Sequence, residues 1–578
     1  MDQTQSRWII EKREAVAEHG MVTAMHPLAA AAGVETLQAG GNAVDAAVAT
    51  AFAIGVVEPA MSGIGGVAAM VICFGADGRS VVVDGSSSAP ASAREDMFEL
   101  AAPNSSGGMY GWRATLGDAQ NTGYRAPVVP GQPACLLYAH ERYGSGRLSR
   151  GQVMAPAIQL AEEGFTVDPY QAQTVAFAHR RLRANPEAFR TFFLPDGTPP
   201  VPATSTRDGD RVVQPDLART LRALADHGAS ALYEGEIGER LVADLQANGG
   251  LISQADMASY TVREYQPGLN TDYRGYTLAG LSPTSGSMTA FEALNILRHF
   301  DLAGLGAGSP AAVHVVAEAL RRAFLDRFTY LADPQLHDVP VEALLSEGYA
   351  AMLAGNIELD QADPNASAGK PWRFQPAGAG AGGRPGGGSG GDGCTTHLNV
   401  VDADRNAVAL TSTLGELFGS GVVAKDTGIL LNNGMTWFDP EPAHVNSIQP
   451  RKRTLWAPTP TVVLRNGQPF LAIGAPGGRR IISALVQSLV NVLDFGMGVQ
   501  DAVTTPRIHC EGAVTEVDGR IAREVVDGLT ARGHRLKLLQ EDSSSFRFAR
   551  PGGIRIDPQT SQLKGGVHQF TPAWAMGY

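Results

Sequence analysis

The first part of the chain mixes helical and strand-like hydrophobic patterns. After His26-Pro27, the run LAAAAGVETLQAGGNAVDAAVATAFAIGVVEP predicts two short helices hinged at Gly40-Gly41-Asn42. The second helix is rich in small residues, so it should pack tightly against a sheet. A glycine-rich turn at 62–66 then separates it from two apolar runs that predict paired strands, 67–74 and 80–83.

The middle of the chain is dominated by amphipathic helical spacing. Such helices are predicted near 150–163, 215–227, 236–248 and 311–331. Asp216 is the expected N-cap of one of them, and Gly228 its C-terminal stop. The hydroxyl-rich run 282–287 predicts a turn and helix cap before a helix over 289–300.

Strand patterns prevail in the last third. Residues 395–401 and 407–414 alternate around a turn at 404–406, which predicts a hairpin. Two further apolar runs predict strands at 461–464 and 470–473, and the second leads through GAPGG into a helix over 479–493. This order of elements suits an α+β fold in which two sheets pack face to face with helices outside.

The predicted hairpin begins abruptly after a stretch with no apolar period. From 377 to 394 the sequence is almost entirely Gly, Ala, Pro and Ser, which predicts a flexible tether and not a packed element. The strand that follows opens at Thr395-Thr396. We therefore expect catalytic chemistry at this junction, where a flexible tether leads directly into a strand that begins with threonine.

The composition of the chain argues against several classes of protein. The 578 residues carry a net charge of −12, which argues against a nucleic-acid surface, and 68 glycines, which suggests many tight turns and close backbone contacts. Four distant cysteines fit neither a disulfide framework nor a metal site. The N-terminus has no secretory pattern, and the apolar run 46–57 is too short to span a membrane. We therefore expect a cytoplasmic protein.

Thr395 is the first candidate for catalysis. If the chain is cleaved after Cys394, Thr395 gains a free α-amine beside its hydroxyl, and this pairing makes a weak alcohol nucleophilic. Threonines are also common at strand starts for reasons of β-propensity alone. His397 lies about 7 Å further along the same strand, so we expect it to pack or to form hydrogen bonds, not to act as the base.

The GAPGG loop allows three interpretations. A dinucleotide site is weakly supported because the spacing is not GxGxxG. Backbone N–H groups of Gly477 and Gly478 could instead form an oxyanion hole. The loop could also be no more than a tight strand-to-helix turn.

Several separated motifs, in order, resemble the γ-glutamyltransferase family of N-terminal-nucleophile hydrolases. They are GGNAVDAA at 40–47, NGGLI at 248–252, DYRGY at 272–276, Thr395-Thr396-His397 with Asp402 and Asn406, GILLNN at 428–433 and Pro476-Gly477-Gly478. The resemblance covers nearly the whole chain. It implies a four-layer αββα sandwich made of two subunits from one precursor, a large one of residues 1–394 and a small one of 395–578.

The resemblance also implies the roles of the catalytic residues. Cleavage falls between Cys394 and Thr395, Thr395 is the nucleophile and its α-amine is the base. Thr413 matches the position whose hydroxyl supports the nucleophile, and Gly477 and Gly478 match the oxyanion glycines. The reaction would proceed through an acyl-enzyme with no cofactor and no metal.

The substrate-binding positions of the family are changed in this chain. The arginine that binds the glutamyl group falls at Ser86, and the asparagine after the supporting threonine is Gly415. The glutamine and aspartate that hold the α-amino group fall at Gly434 and Trp437, and the paired serines at Trp456-Ala457. A glutamyl head would lose charge-assisted hydrogen bonds worth ~1.5–3 kcal/mol each.

We therefore expect an acylase or small-amide hydrolase, similar to the cephalosporin acylase branch of the family. Its substrate would be an amide whose acyl part is smaller or more apolar than glutamate. If that acyl group carries a carboxylate, Arg125, Arg453 or Arg479 could hold it. The alternatives are a γ-glutamyltranspeptidase or glutathione hydrolase with a rebuilt pocket, and an unprocessed non-catalytic member. The processed protein could be a dimer of large–small pairs.

Overall fold

The computed structural model describes residues 10–375, 393–543, 545 and 547–578. Most of the tether predicted at 377–394 lies outside these residues. The described part is a mixed α and β fold with antiparallel main sheets.

The strands of the described residues are β1 Ala15–Ala17, β2 Met21–Ala24, β3 Val67–Cys73, β4 Ser80–Gly85, β5 Phe165–Thr166, β6 Arg211–Val212, β7 Arg263–Tyr265, β8 Leu269–Tyr273, β9 Tyr276–Gly280, β10 Cys394–Val401, β11 Ala407–Gly415, β12 Thr461–Arg465, β13 Gln468–Gly474, β14 Ile508–Cys510, β15 Val514–Asp518, β16 Arg535–Leu539, β17 Gly552–Ile556, β18 Leu563–Val567 and β19 Trp574–Gly577.

The helices of the same residues are α1 Pro27–Gln38, α2 Ala43–Val57, α3 Gln132–Tyr143, α4 Arg150–Glu163, α5 Pro169–Phe177, α6 His179–Arg183, α7 Pro186–Phe192, α8 Pro215–His227, α9 Ser230–Tyr233, α10 Glu236–Ala247, α11 Gln254–Ala258, α12 Gly286–Leu297, α13 Leu302–Leu305, α14 Pro310–Tyr330, α15 Val341–Leu344, α16 Glu347–Ala354, α17 Arg480–Leu493, α18 Val499–Thr504 and α19 Arg523–Ala531.

Two seven-stranded sheets form the centre of the fold. Sheet 1 has the order β1-β18-β17-β13-β12-β9-β8, and sheet 2 the order β19-β2-β10-β11-β3-β4-β7. The predicted hairpin is confirmed as β10–β11, with Val400 opposite Val408. It lies in the interior of sheet 2, between β2 and β3, so both of its strands are paired on both edges.

The alternation of side chains in β3 separates two hydrophobic cores. Ala69 and Val71 join an apolar cluster that includes Val462 and Ala472 of sheet 1. The intervening Ala68, Met70 and Ile72 belong to a second cluster, which contains α1 and α2. Because successive side chains point to opposite faces, a strand buried on both faces appears as one continuous apolar run.

Helices α1 and α2 pack closely, as their small residues predict. A Cβ atom added to Gly33 of α1 would lie 2.2 Å from the Oγ1 of Thr50 in α2. The hinge predicted at Gly40-Gly41-Asn42 is confirmed, and Asn42 caps α2 by accepting hydrogen bonds from two backbone amides.

The turn of the hairpin is tied to the start of α2. Asp402 Oδ2 accepts hydrogen bonds from the backbone amide of Ala43 (2.9 Å) and from Asn406 Nδ2 (2.9 Å). Two of the motifs that carry the family resemblance therefore meet here, and together they fix the hairpin against the helix.

One predicted helix start and one predicted N-cap are wrong, although the helix predicted at 215–227 is confirmed as α8. The helix predicted at 289–300 occupies 286–297, because Ser285 caps it by accepting from the Ser287 amide at 3.1 Å. Asp216 is not an N-cap. It lies inside the first turn of α8, after Pro215, where it pairs with Arg190 and Arg219. Among the described residues, no helix is both long and apolar enough to cross a membrane.

Candidate active site

Thr395 lies at an irregularity of β10. The pairing of β10 with β11 shifts between Cys394, which faces Gly415, and Thr396, which faces Ser412. Thr395 is only 3% exposed. Its Oγ1 donates a hydrogen bond to the hydroxyl of Thr413 at 3.2 Å, so the two threonines meet as the hairpin predicts.

The hydroxyl of Thr413 uses its full hydrogen-bonding capacity. It accepts from Thr395 Oγ1 and from the backbone amide of Gly415 (2.8 Å), and it donates to the carbonyl oxygen of Cys394 at 2.6 Å. A hydroxyl has one donor and two acceptor sites, so its orientation is fixed. The single proton of Thr413 is therefore directed at the carbonyl of the peptide bond between Cys394 and Thr395.

A buried ionic network lies behind this strand. Thr396 Oγ1 donates to Glu58 Oε2 at 2.7 Å, at the end of α2. Arg550 Nη2 lies 3.4 Å from the carbonyl oxygen of Thr395, and Nη1 donates to the hydroxyl of Tyr170. Burial raises the pKa of Glu58 to about 7, although Arg550 and Thr396 oppose the shift.

Both ring nitrogens of His397 form hydrogen bonds with side chains other than that of the candidate nucleophile. Its Nδ1 pairs with Thr411 Oγ1 at 2.9 Å and its Nε2 with Asn399 Oδ1 at 3.0 Å. Complete burial lowers the pKa of His397 to about 4. The prediction that it forms hydrogen bonds within the core is confirmed.

The GAPGG loop adopts a backbone that favours glycine. Gly477 and Gly478 have φ angles of 137° and 60°. A Cβ atom on Gly478 would lie 3.1 Å from the Cα of Gly393, and one on Gly477 would lie 2.6 Å from the Cα of Ala549. The loop therefore adjoins the residue just before Cys394.

The altered substrate positions cluster together. A Cβ atom on Gly415 would lie 2.1 Å from Asn433 Oδ1, and one on Gly434 would meet Val128 at 2.2 Å and the Trp437 ring at 2.8 Å. Trp437 and Trp456 are buried and meet edge to face, with ring centroids 6.3 Å apart. The indole nitrogen of Trp456 has no hydrogen-bond partner among the described residues.

Ser86 lies beside an arginine from another segment. It is fully buried, and Arg453 Nη1 donates to its carbonyl oxygen at 2.7 Å and approaches its hydroxyl at 3.3 Å. Arg453 also donates to the carbonyl of Thr261. Arg453 thus reaches Ser86, the position at which the resemblance predicts a glutamyl-binding residue.

The other two arginines hold parts of the chain in place. Arg479 forms a two-point ion pair with Glu511 at 2.7 and 2.8 Å, and its Nη1 donates to the carbonyl of Tyr110. Burial opposes the ionisation of Glu511, but Arg479 keeps the pKa of that carboxyl well below its usual range. Arg125 donates to the carbonyl of Met97 and lies over the Phe98 ring.

An aromatic segment that the sequence analysis did not identify also reaches the site. Met109 Cε lies 3.4 Å from the position of a Cβ atom on Gly478, and 2.5 Å from one on Gly393. Tyr110 stacks on Trp112, whose indole nitrogen donates to the carbonyl of Thr436 at 3.0 Å. The signal available in the sequence was the concentration of aromatic residues at 109–112 between glycines.

The sequence analysis also missed Glu58 and Arg550, because only the fold brings them to β10.

Two clusters among the described residues have the composition of a metal site, and neither includes a predicted catalytic residue. They are His314, Glu318 and His534, and Asp439, Glu441 and His444. In the first, the histidine nitrogens lie at a hydrogen-bonding distance of 2.8 Å, and the Glu318 oxygens accept from Arg321 and Arg322. In the second, His444 Nδ1 lies 2.6 Å from Asp439 Oδ2. The members of both clusters are thus paired with each other or with neighbouring arginines.

The model of the family described as Gamma-glutamyltranspeptidase matches residues 29–571. The chain belongs to the γ-glutamyltranspeptidase family. The resemblance inferred from the motifs is confirmed, and so is the expectation of an enzyme with hydrolase or transferase chemistry.

Relatives within the γ-glutamyltranspeptidase family include acylases and glutathione hydrolases. The chain is 40% identical over 531 residues to the acylase ACY 1 proenzyme of Pseudomonas sp. (strain SE83), covering 91% of this chain and 88% of that one. It is 33% identical over 568 residues to the glutathione hydrolase proenzyme of Bacillus subtilis (strain 168), covering 98% and 92%. The cephalosporin acylase from Bacillus halodurans has a similar structure, with a TM-score of 0.85, 29% identity and coverage of 100% and 99%.

Proposed function

We propose that this chain is a precursor that cleaves its own Cys394–Thr395 bond and becomes a threonine amidohydrolase or acylase. The observation that carries the proposal is the contact of the Thr413 hydroxyl with both the Thr395 hydroxyl and the Cys394 carbonyl. That carbonyl is the one that must be attacked, and a hydrogen bond to it stabilises the negative charge that develops there. The similar acylase and glutathione hydrolase are both named as proenzymes, which supports the proposal that this chain is a precursor.

Self-cleavage would proceed in two steps. Thr395 Oγ1 bonds to the carbonyl carbon of Cys394 as its proton passes to the departing nitrogen, and the C–N bond breaks. This leaves an ester and the free α-amine of Thr395. Water then hydrolyses the ester, which releases the carboxylate of Cys394 and regenerates the Thr395 hydroxyl.

The same groups would serve turnover of an amide substrate. The α-amine of Thr395 takes the hydroxyl proton as Oγ1 bonds to the substrate carbonyl carbon. It then passes this proton to the substrate nitrogen as the C–N bond breaks, which releases the amine product and leaves an acyl-enzyme. The N–H groups of Gly477 and Gly478 are the proposed donors to the oxyanion. Water completes the hydrolysis.

The acyl group should differ from glutamate. Trp437 and Trp456 are buried aromatic side chains at positions where the family binds a charged head group, and a buried charge without a partner is costly. The Nε1 donor of Trp456, which has no hydrogen-bond partner in the part of the chain that the structure describes, favours an acyl group that has a hydrogen-bond acceptor. Arg453, beside Ser86, is the proposed partner for a carboxylate on that acyl group.

Several features of the assembly belong to the same proposal. The two sheets and the helices on their outer faces are the proposed αββα layers, with residues 1–394 as the large subunit and 395–578 as the small one. A dimer of such pairs is a further possibility for the processed protein.

Gel electrophoresis under denaturing conditions tests the processing step. We expect two fragments with a mass ratio of roughly 2:1, and N-terminal sequencing of the smaller one should begin at Thr395. Thr395→Ala should give a single band near 60.7 kDa. A single band from the parent protein contradicts the proposal and supports an unprocessed family member.

A screen of amide substrates tests the choice of acyl group. Short-chain and aromatic acyl amides, with and without a second carboxylate, should be compared with a γ-glutamyl anilide by release of the amine. We expect faster turnover of one of the non-glutamyl amides. Equal or faster turnover of the γ-glutamyl anilide would instead identify a γ-glutamyl hydrolase or transferase with a rebuilt pocket.

A further inference from the structure

A buried arginine lies next to the backbone of the candidate nucleophile. Arg550 is 2% exposed, and its Nη2 lies 3.4 Å from the carbonyl oxygen of Thr395. The same guanidinium contacts the hydroxyl of Tyr170 and lies 3.7 Å from the sulfur of Met61. It therefore approaches Thr395 from the protein interior.

The residue also holds the proposed oxyanion loop. The backbone amide of Arg550 donates to the carbonyl of Pro476 at 2.9 Å. The neighbouring Ala549 is the residue against which Gly477 packs. One short segment thus connects the nucleophile to the loop that precedes α17.

Several titratable groups lie around Arg550. Glu58 is the nearest acid of the network, but burial raises its pKa to about 7, so it is largely neutral in weakly acidic solution. Asp168 interacts with Glu58 and lies 3.8 Å from His26. The titratable groups around this part of β10 are therefore Glu58, Asp168, His26, Tyr170, Arg550 and the thiol of Cys394.

The guanidinium of Arg550 lies close enough to affect the protonation of the α-amine that cleavage would create. The amine nitrogen and the carbonyl of Thr395 are attached to the same Cα, so a group 3.4 Å from the carbonyl oxygen lies within about 7 Å of the amine. A positive charge at this range disfavours protonation of a second cationic group, most strongly in the interior.

We propose that Arg550 is a positioning residue which keeps the freed α-amine of Thr395 unprotonated, so that the amine can act as the base near neutral pH. The inference rests on the proposed function, because the amine exists only after processing. An ordinary α-amine has a pKa of ~7.7–8.0 and would be mostly protonated at pH 7. A protonated amine cannot accept the proton of the Thr395 hydroxyl.

Direct titration of the amine is the first test. Processed protein labelled with [15N]threonine should show one α-amine resonance, from Thr395, that titrates well below the ordinary range. A pKa within or above ~7.7–8.0 would overturn the inference. This measurement uses the parent protein, so it does not depend on the folding of any variant.

Substitution of Arg550 gives a second test, with a kinetic readout. In Arg550→Gln, the acidic limb of kcat/KM should move to higher pH by about one unit, whereas Arg550→Lys keeps the charge and should move it by less than half as much. Glu58→Gln keeps an acceptor for Thr396 but removes a negative charge, so its acidic limb should not move upward. Equal shifts in the two Arg550 variants, or none in Arg550→Gln, would indicate a structural role and overturn the inference.

Failure of this inference is distinguishable from failure of the proposed function. Without cleavage of the parent protein there is no Thr395 α-amine, and the proposed function fails. With normal cleavage and activity but an ordinary amine pKa, only the role of Arg550 fails.

Discussion

At the scale of single residues, Thr413 is the best-defined group of the site. Its three hydrogen bonds connect the candidate nucleophile, the adjacent carbonyl and the backbone of Gly415. Because its only proton is directed at the Cys394 carbonyl, its loss should affect the chemistry more than the packing. A variant that keeps its shape can separate the two effects.

Thr413→Val should slow self-cleavage. Valine preserves the branched shape but cannot donate to the carbonyl of Cys394, and loss of one oxyanion donor costs about 10²- to 10³-fold in rate. The rate is measured as the appearance of the two fragments in freshly expressed protein. Thr413→Ser, which retains the hydroxyl, is the control and should mature much faster than the valine variant.

Trp456→Phe should weaken the binding of the best substrate from the amide screen. Phenylalanine retains an aromatic ring but lacks the indole N–H, for which the described residues supply no acceptor. A lost hydrogen bond of about 1 kcal/mol would raise KM roughly five-fold. Trp112→Phe is a contrasting variant, because the Trp112 indole donates to Thr436 inside the protein and should affect stability instead. An unchanged KM in Trp456→Phe would show that this N–H does not contact substrate.

At the scale of elements, the small residues of α1 and α2 decide how closely the helices approach. Gly33 sits where a methyl group would overlap Thr50 Oγ1 at 2.2 Å and contact Val22 at 3.0 Å. α2 in turn is buried along its whole length and packs against β10. The position of β10, which carries the candidate nucleophile, therefore depends on this helix contact.

Gly33→Ala should destabilise the protein, despite the higher helix propensity of alanine. Overpacking at the contact with Thr50 should lower the free energy of unfolding by about 1–3 kcal/mol, measured by urea denaturation. Gly151→Ala is the matched control, because this helical glycine of α4 has nothing within 4 Å of its Cβ position. That variant should be unchanged or up to about 1 kcal/mol more stable. Equal stability of both variants would contradict the packing argument.

At the scale of the whole molecule, the two proposed subunits are interleaved. β10 and β11 lie between β2 and β3 in sheet 2, and β12 pairs with β9 in sheet 1. Strands from both sides of the proposed cleavage site thus share hydrogen-bond ladders in both sheets. Cleavage of one peptide bond does not break these ladders.

The fragments should therefore stay together after cleavage. Size-exclusion chromatography of the processed protein in native buffer should give one peak that contains both fragments, and separation should require denaturant. Dissociation in native buffer would show that the shared ladders do not hold the pieces together. Thr395→Ala, as an uncleaved reference, should elute at a similar volume.

Glu541 should make stability depend on pH. Burial raises its pKa from the ordinary 4.5 to about 7, with Arg507 opposing the shift. The folded state then binds this proton more tightly than the unfolded state. The contribution of Glu541 is full below pH 4.5 and is lost as the pH rises through 7.

Glu541→Gln should remove this dependence. It cannot ionise, yet its oxygen can still accept from the Arg547 and Phe548 amides that contact Glu541. The free energy of unfolding of Glu541→Gln minus that of the parent should increase by about 1–3 kcal/mol from pH 5 to pH 8. Glu524→Gln, at an exposed position of α19, should change stability equally at both pH values. A parallel pH profile for Glu541→Gln and the parent would contradict the argument.

The sequence by itself determined the family, most of the elements and the local candidates for chemistry. Strong periodic patterns located the hairpin, the hinge before α2 and the long helices, because local spacing decides which face is apolar. The N-cap of α8 and the exact start of α12 were missed, since Pro215 opens the first turn of α8 and Ser285 caps α12. The order and spacing of the motifs identified Thr395, Thr413, Gly477 and Gly478 as the residues that match the family's catalytic positions.

Only the tertiary structure decided which distant residues act together. Glu58, Tyr170 and Arg550 are each more than 100 positions apart and have no shared local pattern, yet the packing of α2, α5 and the segment around Arg550 brings them to β10. The three candidate arginines were equivalent in the sequence. Their partners differ because burial requires each guanidinium to satisfy its donors locally, which occupies Arg479 with Glu511 and brings Arg453 to Ser86.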